Sequence, residues 1–399
     1  MRVLFTTRGS SGHIGPLVPF ARACVRAGHD VLVSAQRQFE GNVTRSGLPF
    51  APVDEPTRDQ WMPLMERFGQ LDIASADRAM IGRFFAGLDL RAELPALRAL
   101  AESWRPDVIV RESWEFGSTL VGELHGIPVA RVGLGVAEME ELTLTAAAPE
   151  VDKARAEAGL PPDPDGERLT AGPLMTSIPP ELEDPAAGAP ANASRYRFEV
   201  DAEADQLPDW WGGNGDPLVY LTFGSVAAGA HLPYYPALYR SAIEALATLP
   251  VRLLVTVGDA DRDLSDLGQV PANVHVETWV PHDSVATRAD VIVCHGGFGS
   301  TLGALAHGTP LVVLPLFSGD QWANGAAVAR AGAGIIVADD VEARGVLDLP
   351  PAETIDGLRR AVETVLSGAS HRREAGRIAK AMRALPPVDE SVRLLESAA

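Results

Sequence analysis

Residues 291–301 read Val291-Ile292-Val293-Cys294-His295-Gly296-Gly297-Phe298-Gly299-Ser300-Thr301. Four apolar residues in succession make a strand buried on both faces, the pattern of a parallel sheet. His295 ends the strand, a glycine turn follows, and Gly299-Ser300-Thr301 opens a helix. The amides at a helix start have no partner inside the helix, and the helix dipole gives them partial positive charge. Strand, glycine turn and helix start together form an anion site suited to a diphosphate. The imidazole of His295 and the two hydroxyls add donors.

The flanking residues extend the site. Strand Val274–Val280 carries Trp279 near its end, a flat face for a base. Asp320 and Gln321 open the helix after strand Leu311–Leu316 and offer hydrogen bonds to sugar hydroxyls. Strand Leu218–Phe223 ends in Gly224-Ser225. Around these the sequence alternates: helix 234–248, strand Arg252–Val257, helix 299–307, helix 321–331, strand Gly334–Val337, helices 352–366 and 370–383, and a last amphipathic segment, Glu390–Ser397.

The amino-terminal part repeats the scheme. Strand Arg2–Thr7 runs into the small-residue loop Gly9-Ser10-Ser11-Gly12-His13-Ile14-Gly15-Pro16. A helix with Leu17, Phe20, Ala21, Cys24 and Val25 on one face is closed by Gly28. Strands follow at Asp30–Ala35, Pro49–Val53, Asp107–Val110 and Pro128–Val132. Residues 57–100 hold helical patterns with Trp61, Met65, Phe68, Phe84 and Phe85, and residues 134–195 read as irregular excursions. Residues 201–216, acidic and then Trp210-Trp211-Gly212-Gly213, read as a linker. The fold class is therefore α/β, with two doubly wound domains facing across a cleft at the carboxyl ends of their strands.

The bulk numbers agree. The chain has 399 residues, 46% hydrophobic and 22% charged, which suits two globular domains. A net charge of −19 without a Lys/Arg cluster argues against a nucleic-acid partner. The 2 cysteines lie in apolar segments and indicate neither a disulfide framework nor a zinc site. No signal peptide is recognisable, and no apolar run reaches the ~18–20 residues of a membrane span. The expectation is a cytoplasmic protein with no membrane partner. Asp259-x-Asp261 resembles a metal-binding pair but follows a strand as a glycine-led turn, and is read as structural. The first loop lacks Gly-x-Gly-x-x-Gly spacing, and Ser34-Ala35-Gln36 lacks the acidic residue of a dinucleotide site.

Taken together, residues 279–321 resemble the nucleotide-sugar signature of family 1 glycosyltransferases of the GT-B fold, and are most similar to bacterial enzymes that attach deoxysugars to macrolides, polyketides and enediynes. The likeness covers nearly the whole chain. It implies an acceptor-binding domain over 1–205, a nucleotide-sugar domain over 216–383, and a tail, 384–399, that crosses back to the first domain. It implies donor contacts from Ser225, Trp279, Val280, His295, Gly297, Ser300, Thr301, Asp320 and Gln321. It implies a general base at His13, since histidine exchanges protons near neutral pH. It also implies an orienting carboxylate at Glu112, where most relatives carry Asp, with Glu115 as the alternative. Trp61, Met65, Phe68, Phe84 and Phe85 are either helical core or the wall of an apolar acceptor pocket.

Two positions depart from the family pattern. Plant-type members carry a ribose-binding Glu at the position of Gly303, and Gln at the position of His282. Loss of that carboxylate favours a dTDP donor over UDP. The expected reaction is inverting transfer of a sugar from a nucleoside diphosphate to a hydroxyl of a small hydrophobic acceptor in secondary metabolism. No metal or other cofactor is expected, and a homodimer or an activator protein is left open. Two alternatives stand beside it. A nucleotide-sugar epimerase would use carboxylates around the sugar and need no acceptor. A non-catalytic partner of a transferase would have no need of His13, Asp320 and Gln321.

Overall fold

A computed structural model of the chain describes residues 1–186, 190, 192–200, 215–229, 232–258 and 262–399. The linker reading for 201–216 falls largely, and Asp259-x-Asp261 wholly, outside the described residues.

Most apolar runs in the sequence become buried strands, while the strand Ala193–Arg195 is half-buried throughout and the strand Val274–Glu277 over most of its length. Seven form the first sheet: β1 (Arg2–Thr6), β2 (Asp30–Gln36), β3 (Phe50–Val53), β4 (Val108–Glu112), β5 (Val129–Val132), β6 (Leu174–Thr176) and β7 (Ala193–Arg195). Their order is β3-β2-β1-β4-β5-β6-β7, with parallel pairing. Six form the second: β8 (Leu218–Thr222), β9 (Arg252–Thr256), β10 (Val274–Glu277), β11 (Val291–Cys294), β12 (Leu311–Val313) and β13 (Gly334–Ile336). Their order, β10-β9-β8-β11-β12-β13, is also parallel. In both sheets the order reverses between the first strand and the fourth, which opens a crevice beyond their carboxyl ends.

Residues 134–195 are not irregular. They contain the 21-residue helix Ala137–Glu157 and the strands β6 and β7. The helix escapes notice because it is built on small residues around Pro149, with no apolar stripe. Strands of three residues are too short for a periodicity to show. The small-residue loop is also shorter than its composition suggests, since the helix Ser11–Arg26 begins within it and contains Pro16 and Pro19.

The chain ends against its beginning. Val388, Val392 and Leu395 are buried in one cluster with Leu17, Phe20 and Cys24 of the first helix. Arg26 and Asp389 pair at 2.7 Å on the rim of this contact. No helix among the described residues is long and apolar enough to cross a membrane.

Candidate active site at the interdomain cleft

β1 leads into the helix Ser11–Arg26, whose first turn carries His13, and β4 ends on Glu112. His13 Nδ1 lies 3.1 Å from Glu112 Oε1. The other oxygen, Oε2, accepts the Trp114 amide at 2.5 Å. Burial pushes the Glu112 carboxyl up, but the facing His13, the Trp114 amide and Arg8 outweigh it and hold the group below its usual range. A neutral ring donating Nδ1–H to this carboxylate has its lone pair on Nε2, the tautomer a proton acceptor requires. Glu115 is used elsewhere: it accepts Thr6 Oγ1 at 2.6 Å and the Ser118 amide at 2.8 Å.

Aromatic rings surround the histidine. Trp114 stands 5.2 Å from the His13 ring and stacks on Phe85 at 5.5 Å and 25°. Phe84 and Phe85 belong to a ten-residue π-helix, Met80–Asp89, a form that recurs at functional sites. The Arg8 guanidinium lies 3.8 Å from the centre of the Phe85 ring and pairs with Asp89 at 3.3 Å. Trp61, Met65 and Phe68 sit together on the helix Arg58–Phe68; like Phe84 and Phe85, they are not among the residues that line the interdomain cleft of about 610 Å³. Phe68 packs instead on Ile73, Ala76 and Val346.

The donor residues gather at the matching point of the second sheet. Thr222 and Cys294 are register partners of β8 and β11, so Gly224-Ser225 and His295-Gly296-Gly297 emerge side by side. The His295 ring stacks on Phe317 at 6.3 Å and 24°. A Cβ at Gly224 would lie 2.6 Å from His295 Cε1, and one at Gly297 2.5 Å from Nε2, so both glycines make room for the imidazole. Burial lowers the His295 pKa to about 4 and keeps the ring neutral. Asn324 Nδ2 donates to Gly296 O at 2.8 Å and fixes the turn.

The helix Phe298–His307 follows, with Gly297 as its N-cap. Its first internal bond runs from Thr301 N–H to Gly297 O at 3.0 Å. The amides from Gly297 to Ser300 therefore have no partner within the helix. Ser300 lines the cleft, whereas Thr301 is 2% exposed with its hydroxyl beside the Cys294 thiol. The Thr301 hydroxyl has no hydrogen-bond partner among the described residues. Val280 is likewise turned into the core, leaving only its main chain, while Trp279 is 64% exposed. Gln321 Oε1 accepts the Leu316 amide at 2.7 Å and the Phe317 amide at 3.2 Å, which leaves its NH₂ group for a ligand. Burial raises the Asp320 pKa, with Ser318 and His13 opposing the rise.

One cleft of about 610 Å³ is lined by His13 and Trp114 from the first domain and by Ser225, His295, Ser300 and Asp320 from the second. Sequence reasoning missed Trp114 and Arg8. A lone aromatic two residues past a strand end, and an arginine in a small-residue loop, give no signal until the two strands are placed side by side.

The chain matches the erythromycin biosynthesis protein CIII-like models, the N-terminal domain over residues 22–183 and the C-terminal domain over 240–397. It is 30% identical over 378 residues to the L-demethylnoviosyl transferase of Streptomyces niveus, covering 94% of this chain and 95% of that one. The chain belongs to the erythromycin biosynthesis protein CIII-like family. It is a natural-product glycosyltransferase of the GT-B fold. It is also 30% identical over 439 aligned positions to the 4'-demethylrebeccamycin synthase of Lentzea aerocolonigenes, covering 99% of both. Among solved structures it resembles the glycosyltransferase SsfS6 of Streptomyces sp. SF2575 complexed with thymidine diphosphate, with a TM-score of 0.75, 27% identity and 100% of each chain covered.

Proposed function

We propose that this family member is an inverting transferase that moves a deoxysugar from a dTDP-sugar to a hydroxyl of a small hydrophobic natural product. The observation that carries the reading is the shared cleft: a histidine held by a buried carboxylate faces, across one cavity, a helix start with free amides. The nucleoside stacks on Trp279. The diphosphate sits on the amides of Gly297–Ser300, with His295, Ser225 and the Ser300 hydroxyl beside it. The sugar meets Asp320 and Gln321. The acceptor lies on the first domain near Phe84, Phe85 and Trp114.

In the transfer, the acceptor oxygen attacks C1 as the bond from C1 to the diphosphate oxygen breaks. His13 Nε2 takes the acceptor proton, and the Glu112 carboxylate stabilises the imidazolium. Negative charge grows on the leaving diphosphate and is met by amides already aimed at it. The absence of a side chain at Gly303 supports dTDP, as does the thymidine diphosphate bound by the similar SsfS6. Thermal-shift comparison of dTDP, UDP and GDP tests the donor, because a ligand of the native state stabilises by mass action. Strongest stabilisation by dTDP is expected. Stabilisation by none of the three overturns the reading, and loss of turnover with EDTA overturns its metal-free form.

A further inference from the structure

Asp77 belongs to the first domain, on the helix Ile73–Ala79, yet its carboxyl group reaches the second domain. Its Oδ2 accepts the amide of Gly319, the first residue of the helix Gly319–Arg330 in the second domain. The next two residues of that helix are Asp320 and Gln321. Asp77 is only 7% exposed. A Cβ at Gly319 would run into Asp77 Oδ2, so the glycine is what lets the carboxylate approach.

The contact is anchored on both sides. Residues 71–74 run antiparallel to 341–346: Ile73 N–H donates to Arg344 O at 3.1 Å, and Val346 N–H donates to Leu71 O at 3.0 Å. Beneath them Ile73, Ala76 and Val346 are fully buried with Phe317, the ring that stacks on His295. A limb of the first domain is thus built into the wall of the donor site. A carboxylate at a helix start is favourable because it meets unpaired amides and the positive end of the dipole.

We propose that Asp77 is a positioning residue for the donor sugar: from the first domain it fixes the start of the helix that carries Asp320 and Gln321, so that the sugar grip is complete only when the two domains are joined. This rests on the donor placement proposed above. The groups facing Asp77 fit the role: Ser318 and Gly319 hydrogen-bond to it, Asp320 opposes its charge and Arg78 relieves it. The Asp77 carboxyl adjusts where Asp320 and Gln321 stand, and it touches neither the diphosphate nor the base.

The test is calorimetric titration of the full chain with dTDP and with dTDP-glucose, and in parallel with UDP and UDP-glucose. Asp77→Ala should weaken the nucleotide sugar about tenfold while the bare diphosphate changes less than about twofold. Asp77→Asn keeps an oxygen for the Gly319 amide and should restore most of the loss. Gly319→Ala displaces the carboxylate from the other side and should reproduce the alanine effect, which keeps the test open if Asp77→Ala does not fold. Equal weakening of diphosphate and nucleotide sugar, or no change in either, overturns the role of Asp77 alone. Failure of the parent protein to bind either diphosphate overturns the donor placement itself, and this role with it.

Discussion

The imidazole of His282 fills the space that a side chain at Gly303 would occupy: a Cβ built on Gly303 lies 2.9 Å from both Cε1 and Nδ1 of the ring. The two departures from the family signature are therefore one substitution in space. The ring packs 5.9 Å from Tyr220, and its Nε2 is buried without a partner among the described residues. Burial lowers its pKa to about 4, so it meets a ligand as a neutral ring.

Gly303→Glu by itself should overpack this point and lower stability by roughly 1–3 kcal/mol. The pair His282→Gln and Gly303→Glu should recover that loss, because the smaller neighbour frees the volume. If the dTDP preference arises here, the pair should also gain affinity for UDP relative to dTDP. Melting temperatures read the first effect and dissociation constants for the two diphosphates read the second. A Gly303→Glu protein as stable as the parent would show that the ring moves aside freely.

His13→Ala should lower kcat by about 10²–10⁴ while dTDP affinity is retained, since the base acts on the acceptor proton and not on the diphosphate. Glu112→Gln should lower kcat in the same direction, because a neutral amide stabilises the imidazolium less and permits the opposite tautomer. Glu115→Gln should leave the pH profile of kcat in place, as that carboxyl serves Thr6 and Ser118. Steady-state kinetics with a fluorescent acceptor separate the three. Unchanged kcat in His13→Ala would remove it from the reaction.

The second sheet, the first five strands of the first sheet and the donor turn were legible because each writes itself in a short sequence pattern, whereas the three-residue strands β6 and β7 were not. Val291–Cys294 is an unbroken apolar run, and His295-Gly296-Gly297 can only be a turn after it. The Glu112 contact was legible as a position and not as a distance; the extra methylene is accommodated because Oε2 is held by the Trp114 amide. What was not legible depends on elements far apart in sequence. Whether the Thr301 hydroxyl faces ligand or core turns on where Cys294 lies, and Asp77 meets Gly319 across 242 positions. The π-helix Met80–Asp89 has the composition of an ordinary helix, and it packs against the helix Ala137–Glu157, some fifty positions on in sequence.

Ser300 and Thr301 are neighbours with opposite orientations, which gives an internal control. Ser300→Ala removes a hydroxyl from the cleft and should weaken dTDP by about 0.5–1.5 kcal/mol, roughly a factor of two to ten. Thr301→Val replaces a buried hydroxyl by a methyl of similar shape and should leave dTDP affinity within about twofold, with stability equal or slightly higher. Titration of both variants with dTDP decides between them. Equal losses would place the Thr301 hydroxyl at the ligand.

Asp77 should also leave a mark on stability as a function of pH. Burial is the main cause that raises its pKa from 3.8 to about 7, and the charge of Asp320 adds to it. The folded protein therefore holds this proton more tightly than the unfolded chain does. Where the folded state binds more protons, stability falls as pH rises. The fall should run from about pH 4 to about pH 7 and be complete above it, amounting to at most about 4 kcal/mol for three pKa units. Asp77→Asn carries no titrating group, and it relieves Asp320 of a neighbouring charge. Its stability relative to the parent should therefore increase across that interval and level off near pH 8. Urea unfolding at pH 5 and pH 8 measures the change. A parent–variant difference equal at the two pH values would mean that Asp77 is already ionised in the folded protein at pH 5.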